Sequence, residues 1–145
     1  MNYWVKLGIV IGAPVIIVAF IFLYQGSPKE IVAVADQFQS DNSWQLTDER
    51  VVSPAIICFE ANCPSVHRNW QTDGMLTKEE LQTVLNNSGW NFEVEGDCVP
   101  EERISGGEGV CGASGTIQQY TVDMHVISYY EDRSRSSVVL LVDKQ

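Results

Sequence analysis

The stretch WQTDGMLTKEEL, Trp70 to Leu81, holds the residue types of a calcium loop: an aspartate, a glycine, and a glutamate six positions after the glycine. With Gly74 as the sixth loop position, the ligands would be Asn69, Gln71, Asp73, the Met75 carbonyl, Thr77 and Glu80. Only Asp73 and Glu80 bring charge, and the preceding ANCPSVHRNW alternates like a strand where an EF-hand needs a helix. A plainer account covers every residue: Asp73-Gly74 turns the chain, Leu76 and Leu81 staple a helix start, and Thr77 with Glu80 forms a capping box. Asp73 and Glu80 are kept as the residues of a weak calcium site, the lesser reading.

Other chemistry-bearing sets thin out on inspection. Cys58-x4-Cys63-x3-His67 has zinc-like residue types, but its spacing is not that of a zinc knuckle. Cys58, Cys63, Cys98 and Cys111 are an even set following an apolar segment, which suggests two disulfides in an exported domain. Pairing Cys58 with Cys63 and Cys98 with Cys111 would clip two strand connections; three connectivities remain open. Gly107 to Gly112 spells G-x-G-x-x-G, yet no strand runs into it, no helix leaves it, and Glu108 would repel a phosphate. GGEGVCGASG therefore reads as a flexible loop. Six carboxylates between Glu93 and Glu108 read as a solvated strand edge and loop. His67 and His125 sit opposite the apolar residues of their strands. There is no nucleophile elbow, no paired carboxylates in a recognisable setting and no cofactor motif, so no catalytic or cofactor-binding residue is assigned.

The elements that must position these residues follow from periodicity. Leu7 to Tyr24 runs eighteen residues without a charge, flanked by Tyr3, Trp4 and Tyr24 at its ends. It approaches the ~20 apolar residues of a membrane-spanning helix. The expected organisation is a short cytoplasmic end (1–6), a transmembrane signal anchor (7–24) and an extracytoplasmic α+β domain (25–145). The competing reading is a cleaved signal peptide with Ala33-Val34-Ala35 as its site; it falls inside an expected helix. All 19 acidic residues and eight of the nine basic ones follow the span, giving a formal net charge of −10 for the chain. A domain this acidic is repelled by nucleic acid and anionic lipid, so neither is an expected ligand.

Within the domain, SPKEIVAVADQF carries a Ser27–Glu30 capping box with Pro28 at the first helical position. TKEELQTVLNNSGW repeats the pattern from Thr77, and Gly89 is placed to end the helix. Each helix precedes a tryptophan-led strand candidate (NSWQL; NSGWNFEVE), a cysteine pair and another strand (SVHRNWQ; TIQQYTVDMHVISYY). SSVVLLVD closes the chain. The rhythm is an αββ unit given twice, either a duplication or the cadence of an α+β fold. The expected architecture is a mainly antiparallel sheet with two helices on one face.

The run CPSVHRNW, followed by the T-x-x-E helix start and then GW with a later cysteine, resembles small single-pass or secreted proteins of Gram-positive, particularly actinobacterial, bacteria. The resemblance spans about Trp44 to Cys98. Those proteins have no assigned activity, so it implies an address and an α+β fold and transfers no functional residue. The expected role is a non-catalytic binding module at the cell envelope, held to the membrane by its N-terminal helix and facing an envelope protein partner. The alternatives are an envelope enzyme without a familiar motif and the calcium module.

Overall fold

The computed structural model describes residues 28–53, 63–99, 108–129 and 132–144. The elements in chain order are α1 (Pro28–Ala35), β1 (Gln45–Val52), β2 (Ser65–Gln71), α2 (Lys78–Asn87), β3 (Glu95–Asp97), β4 (Glu108–Ile117), β5 (Tyr120–Tyr129) and β6 (Asp132–Lys144). The six strands form one sheet in the order β1-β2-β6-β5-β4-β3, antiparallel at every junction. Strand alternation divides the sheet into two faces. One carries Val66 and Trp70 of β2, Val138, Leu140 and Val142 of β6, Val122, Met124 and Val126 of β5, and Ala113 of β4. Ile31, Val34 and Ala35 of α1 and Leu81, Val84 and Leu85 of α2 bury their apolar stripes in the same core. Each such side chain contributes on the order of 1.5–3 kcal/mol by leaving water.

Aromatic rings fill the end of the core nearest the helix termini. Phe38 lies 5.3 Å from Trp70, 5.3 Å from Trp90 and 6.1 Å from Trp44, all tilted. Trp90 arrives there because α2 ends in a Schellman turn. Gly89 adopts φ +74°, its N–H donates to Asn86 O, and the Trp90 N–H donates to Leu85 O. Arg68 ties the other helix to the sheet: Nη1 donates to Ala35 O (3.0 Å), Nη2 to Asp36 (2.5 Å) and Nε to Glu49 (2.7 Å). One guanidinium thereby satisfies the C-terminal end of α1 and joins it to β1 and β2.

Several expectations are corrected. The fold is an antiparallel six-stranded sheet with two short helices, and no described helix is long and apolar enough to cross a membrane. Helices of 8 and 10 residues rise only ~12–15 Å, about half a bilayer's hydrocarbon core. The expected cytoplasmic end (1–6) and span (7–24) lie outside the described residues, as does Ser27. The single-pass topology, the membrane attachment and the localisation built on them therefore have no structural support. One disulfide, Cys98–Cys111, is described where two were expected. It forms because Gly96 pairs with Cys111, so the chain leaving β3 brings Cys98 to a Cα–Cα distance of 4.7 Å. Cys58 lies outside the described residues, and no described cysteine is a free thiol.

The supposed flexible loop GGEGVCGASG is largely strand: β4 begins at Glu108 and pairs with β5 through Ile117. Its glycines serve close packing, since a Cβ on Gly115 would overlap the Phe92 ring. TIQQYTVDMHVISYY is two strands, turned at Gln118 and Gln119, with Gln118 at φ 58°. Conversely, Trp90 to Val94 alternates as expected but joins no ladder. The Gln82 side chain stands in for a neighbouring strand, donating to Phe92 O (2.8 Å) and accepting from the Val94 N–H (3.1 Å).

Candidate functional site

A cleft of about 420 Å³ opens between three separate segments: the turn from Asp41 to Trp44, the turn from Thr72 to Leu76, and the outer face of α2. The first turn is built by Asp41, whose carboxylate accepts from the Ser43 N–H (2.9 Å) and hydroxyl (2.7 Å). These bonds hold the Asp41 pKa below the usual carboxylate value, the backbone bond most, so the group is ionised at neutral pH. The turn sets Trp44 at the cleft, 9% exposed.

The second wall is fixed from beneath by a hydroxyl network. Thr72, Ser128 and Ser136 are the buried polar residues of the described chain. Ser128 Oγ and Ser136 Oγ lie 2.5 Å apart, the Leu76 N–H donates to Ser136 Oγ (3.0 Å), and the Ser136 N–H donates to Thr72 Oγ1 (2.8 Å). Thr72 Oγ1 in turn donates to Gly74 O (2.6 Å). Gly74, at φ +110°, donates its N–H to Ser134 O and bridges to Arg135. Asp73 rides at the apex of this anchored turn, exposed to solvent.

The third wall begins at the capping box. Thr77 Oγ1 accepts from the Glu80 N–H (3.2 Å), and Glu80 Oε2 accepts from the Thr77 N–H (2.8 Å) and hydroxyl (2.9 Å). Glu79, Thr83, Val84 and Asn87 continue the wall along α2. Four carboxylate residues therefore line the cleft: Asp41, Asp73, Glu79 and Glu80. No lysine or arginine is among the residues lining the cleft. Two of the acids are engaged locally, Asp41 by Ser43 and Glu80 by Thr77. The Asp73 and Glu79 side chains have no hydrogen bond or ion pair within the described chain. Leu76, Val84 and Trp44 supply an apolar lining beside this charge.

The sequence-derived calcium pair does share this cleft, but in other roles. Glu80 is spent on the helix start, and β2 precedes the turn where an EF-hand has a helix. No group of three or more metal-ligating side chains occurs among the described residues. A comparison of the chain with protein-family models, known proteins and solved structures finds no match. Nothing in it bears on the resemblance drawn from CPSVHRNW.

The face of the sheet away from the helices holds the two histidines. A shallow groove of about 400 Å³ there gathers His125 with Glu93, Glu95 and Asp123 over Gly112. No hydrogen bond among the described residues orients His125 toward any of these carboxylates, and the ring is exposed. His67 lies three strands from β4, opposite Leu141, with a buried Nδ1 that has no partner in the described chain. The two histidines and the cleft acids thus lie at separate places, and no nucleophile–base pair forms among the described residues. Sequence reasoning singled out Asp73 and Glu80 but missed Glu79, their neighbour on α2, and Asp41 and Trp44, which reach the cleft through tertiary packing. Asp41-Asn42-Ser43 did carry a local signal, the composition of an Asx turn.

Proposed function

We propose that this domain is a non-catalytic binding module whose cleft takes a cationic group on an apolar stem, namely a lysine or arginine side chain of a partner protein. The observation that carries this reading is the meeting of Asp73 and Glu79, free of partners within the described chain, with Trp44 and Val84 in one cleft. An ammonium or guanidinium there gains two charge-assisted contacts, while its methylene stem covers the indole and the valine. A formal net charge of −10 draws such ligands toward the domain and speeds their encounter. Sites of this size and openness bind single side chains weakly, so affinity would come from several contacts along a basic segment.

The test is a tryptophan-fluorescence titration with a short lysine-rich peptide and a glutamate-rich control, at low salt and at 0.5 M salt. Binding of the basic peptide alone, weakened about fivefold or more in Asp73→Asn/Glu79→Gln and reduced by salt, supports the proposal. Glu93→Gln/Glu95→Gln, which removes equal charge from the other face, is the control for diffuse attraction. Equal weakening by both double variants, or no binding by the wild type, removes the cleft from consideration.

A further inference from the structure

Among the described residues, β1 is the one long open edge of the sheet. Its one described ladder is with β2, and the opposite edge, β3, is three residues long with Gly96 at its centre. Seven of its eight residues are exposed, and Leu46, Val51 and Val52 are 49%, 44% and 41% accessible. Past the bulge between Leu46 and Asp48, the regular run from Asp48 to Val52 is a template for another strand. Charges in its middle, Asp48-Glu49-Arg50, decide which strand fits.

We propose that β1 pairs with β1 of a second copy of this chain, antiparallel about a two-fold axis through Glu49, joining two sheets edge to edge. Opposed residues in such a pair share a face, so the axis must pass through a residue. An axis at Asp48 opposes two aspartates, and one at Arg50 opposes two arginines. Only the axis at Glu49 sets Asp48 against Arg50 of the second copy, twice. Asp48 and Arg50 share the face away from the helices, being paired with Asn69 and His67 of β2. Within one chain their side chains already lie 3.0 Å apart. Two such pairs across the axis close into a ring of four alternating charges. The two Glu49 carboxylates that meet at the axis are each held by their own Arg68 at 2.7 Å, which offsets their repulsion. Self-complementarity of charge in one register is what selects a second copy over an unrelated strand.

The test is sedimentation of the full chain in a non-ionic detergent, across a concentration series, with thermal melts confirming that each variant folds. The wild type is expected to dimerise. Asp48→Arg and Arg50→Asp, each placing like charges around the axis, are expected to weaken the dimer by about tenfold. The double variant Asp48→Arg/Arg50→Asp restores the alternation and is expected to restore the dimer. Association through the apolar stretch Leu7 to Tyr24 would be indifferent to all three substitutions. A monomeric wild type, a dimer unchanged in the single variants, or a double variant no stronger than the singles would each overturn the proposal.

Discussion

The Cys98–Cys111 disulfide holds an edge that has little else to hold it. β3 contributes three exposed residues paired to β4 alone, whereas β4, β5 and β6 are stitched together over ten-residue ladders. The perturbation is Cys98→Ala/Cys111→Ala. The bond closes a loop of 13 residues, and freeing a loop of that size restores unfolded-state entropy of about 3 kcal/mol. Both cysteines are 2% exposed, so truncating the two buried sulfurs adds about 1 kcal/mol of lost packing. The total, about 4 kcal/mol, is a large share of the ~5–15 kcal/mol by which a domain is stable. It corresponds to a melting-temperature drop on the order of 10–15 °C for a domain of this size. The assay is calorimetry and urea unfolding of the variant against wild type, with hydrogen exchange on Glu95 to Asp97. An increased denaturant slope is also expected, because the uncrosslinked unfolded chain exposes more surface. A fall of less than ~3 °C with unchanged exchange at β3 would refute the reasoning, since the edge would then stand without its clip.

Five further outcomes follow from the geometry. Gly115→Ala, which forces a Cβ into the Phe92 ring, is expected to cost about 2 kcal/mol by urea unfolding; Gly89→Ala, with open space but φ +74°, about 1 kcal/mol. Arg68→Met keeps the stem but loses Asp36, Glu49 and Ala35 O, for about 1–2 kcal/mol once the exposure of both carboxylates is discounted; a double-mutant cycle with Glu49→Gln isolates one arm. Thr77→Ala removes the helix cap and is expected to cost about 1 kcal/mol, read as a shift in urea midpoint. Burial, with the Asp123 charge adding to it, holds the Asp143 pKa above its ordinary value. The native state therefore keeps that proton more readily than the unfolded state, and stability falls as pH rises through this range. Asp143→Asn should raise the melting temperature at pH 7 and match wild type near pH 3, where both states are protonated.

The helices and the strands β2 and β6 were legible because their signals are local. Thr77 and Glu80 sit three apart, Leu81, Val84 and Leu85 share one face, and Val138, Leu140 and Val142 alternate. β4 was hidden because glycine is scored as loop-forming, whereas Gly115 is needed where Phe92 crosses the strand. The β4–β5 turn was hidden because Gln118-Gln119 carries no glycine or asparagine, and Gln118 takes a positive φ that few residue types signal. Trp90 to Val94 misled in the other sense: its alternation is real, but period two reports which side chains are buried and not whether a neighbour strand exists. Gln82 supplied that neighbour from a helix, twelve residues before Val94. The Cys98–Cys111 pair was legible as one of three open connectivities, the one that clips a strand connection. The cleft was legible only as Asp73 and Glu80, because the wall carrying Asp41 and Trp44 arrives from about thirty residues earlier in sequence.

The cleft's chemistry follows from how its acids are divided. Four carboxylate residues line one cleft, and no lysine or arginine lines it with them. Two of them are diverted: Asp41 builds its turn through Ser43, and Glu80 builds the helix start through Thr77, each spreading its charge into local donors. Asp73 and Glu79 have no such outlet, and the structures that carry them are stiff. One stands on a turn pinned by the Thr72–Ser128–Ser136 hydroxyls, the other in the first turn of a capped helix. In the proposed reading, a cationic side chain would meet Asp73 and Glu79 on walls that are already held in place. The same stiffness lowers the ordering cost of binding, which otherwise consumes much of the gain in a small open site. Thr77→Ala should therefore loosen the wall that carries Glu79 and weaken the basic peptide, although Thr77 donates nothing to the ligand itself.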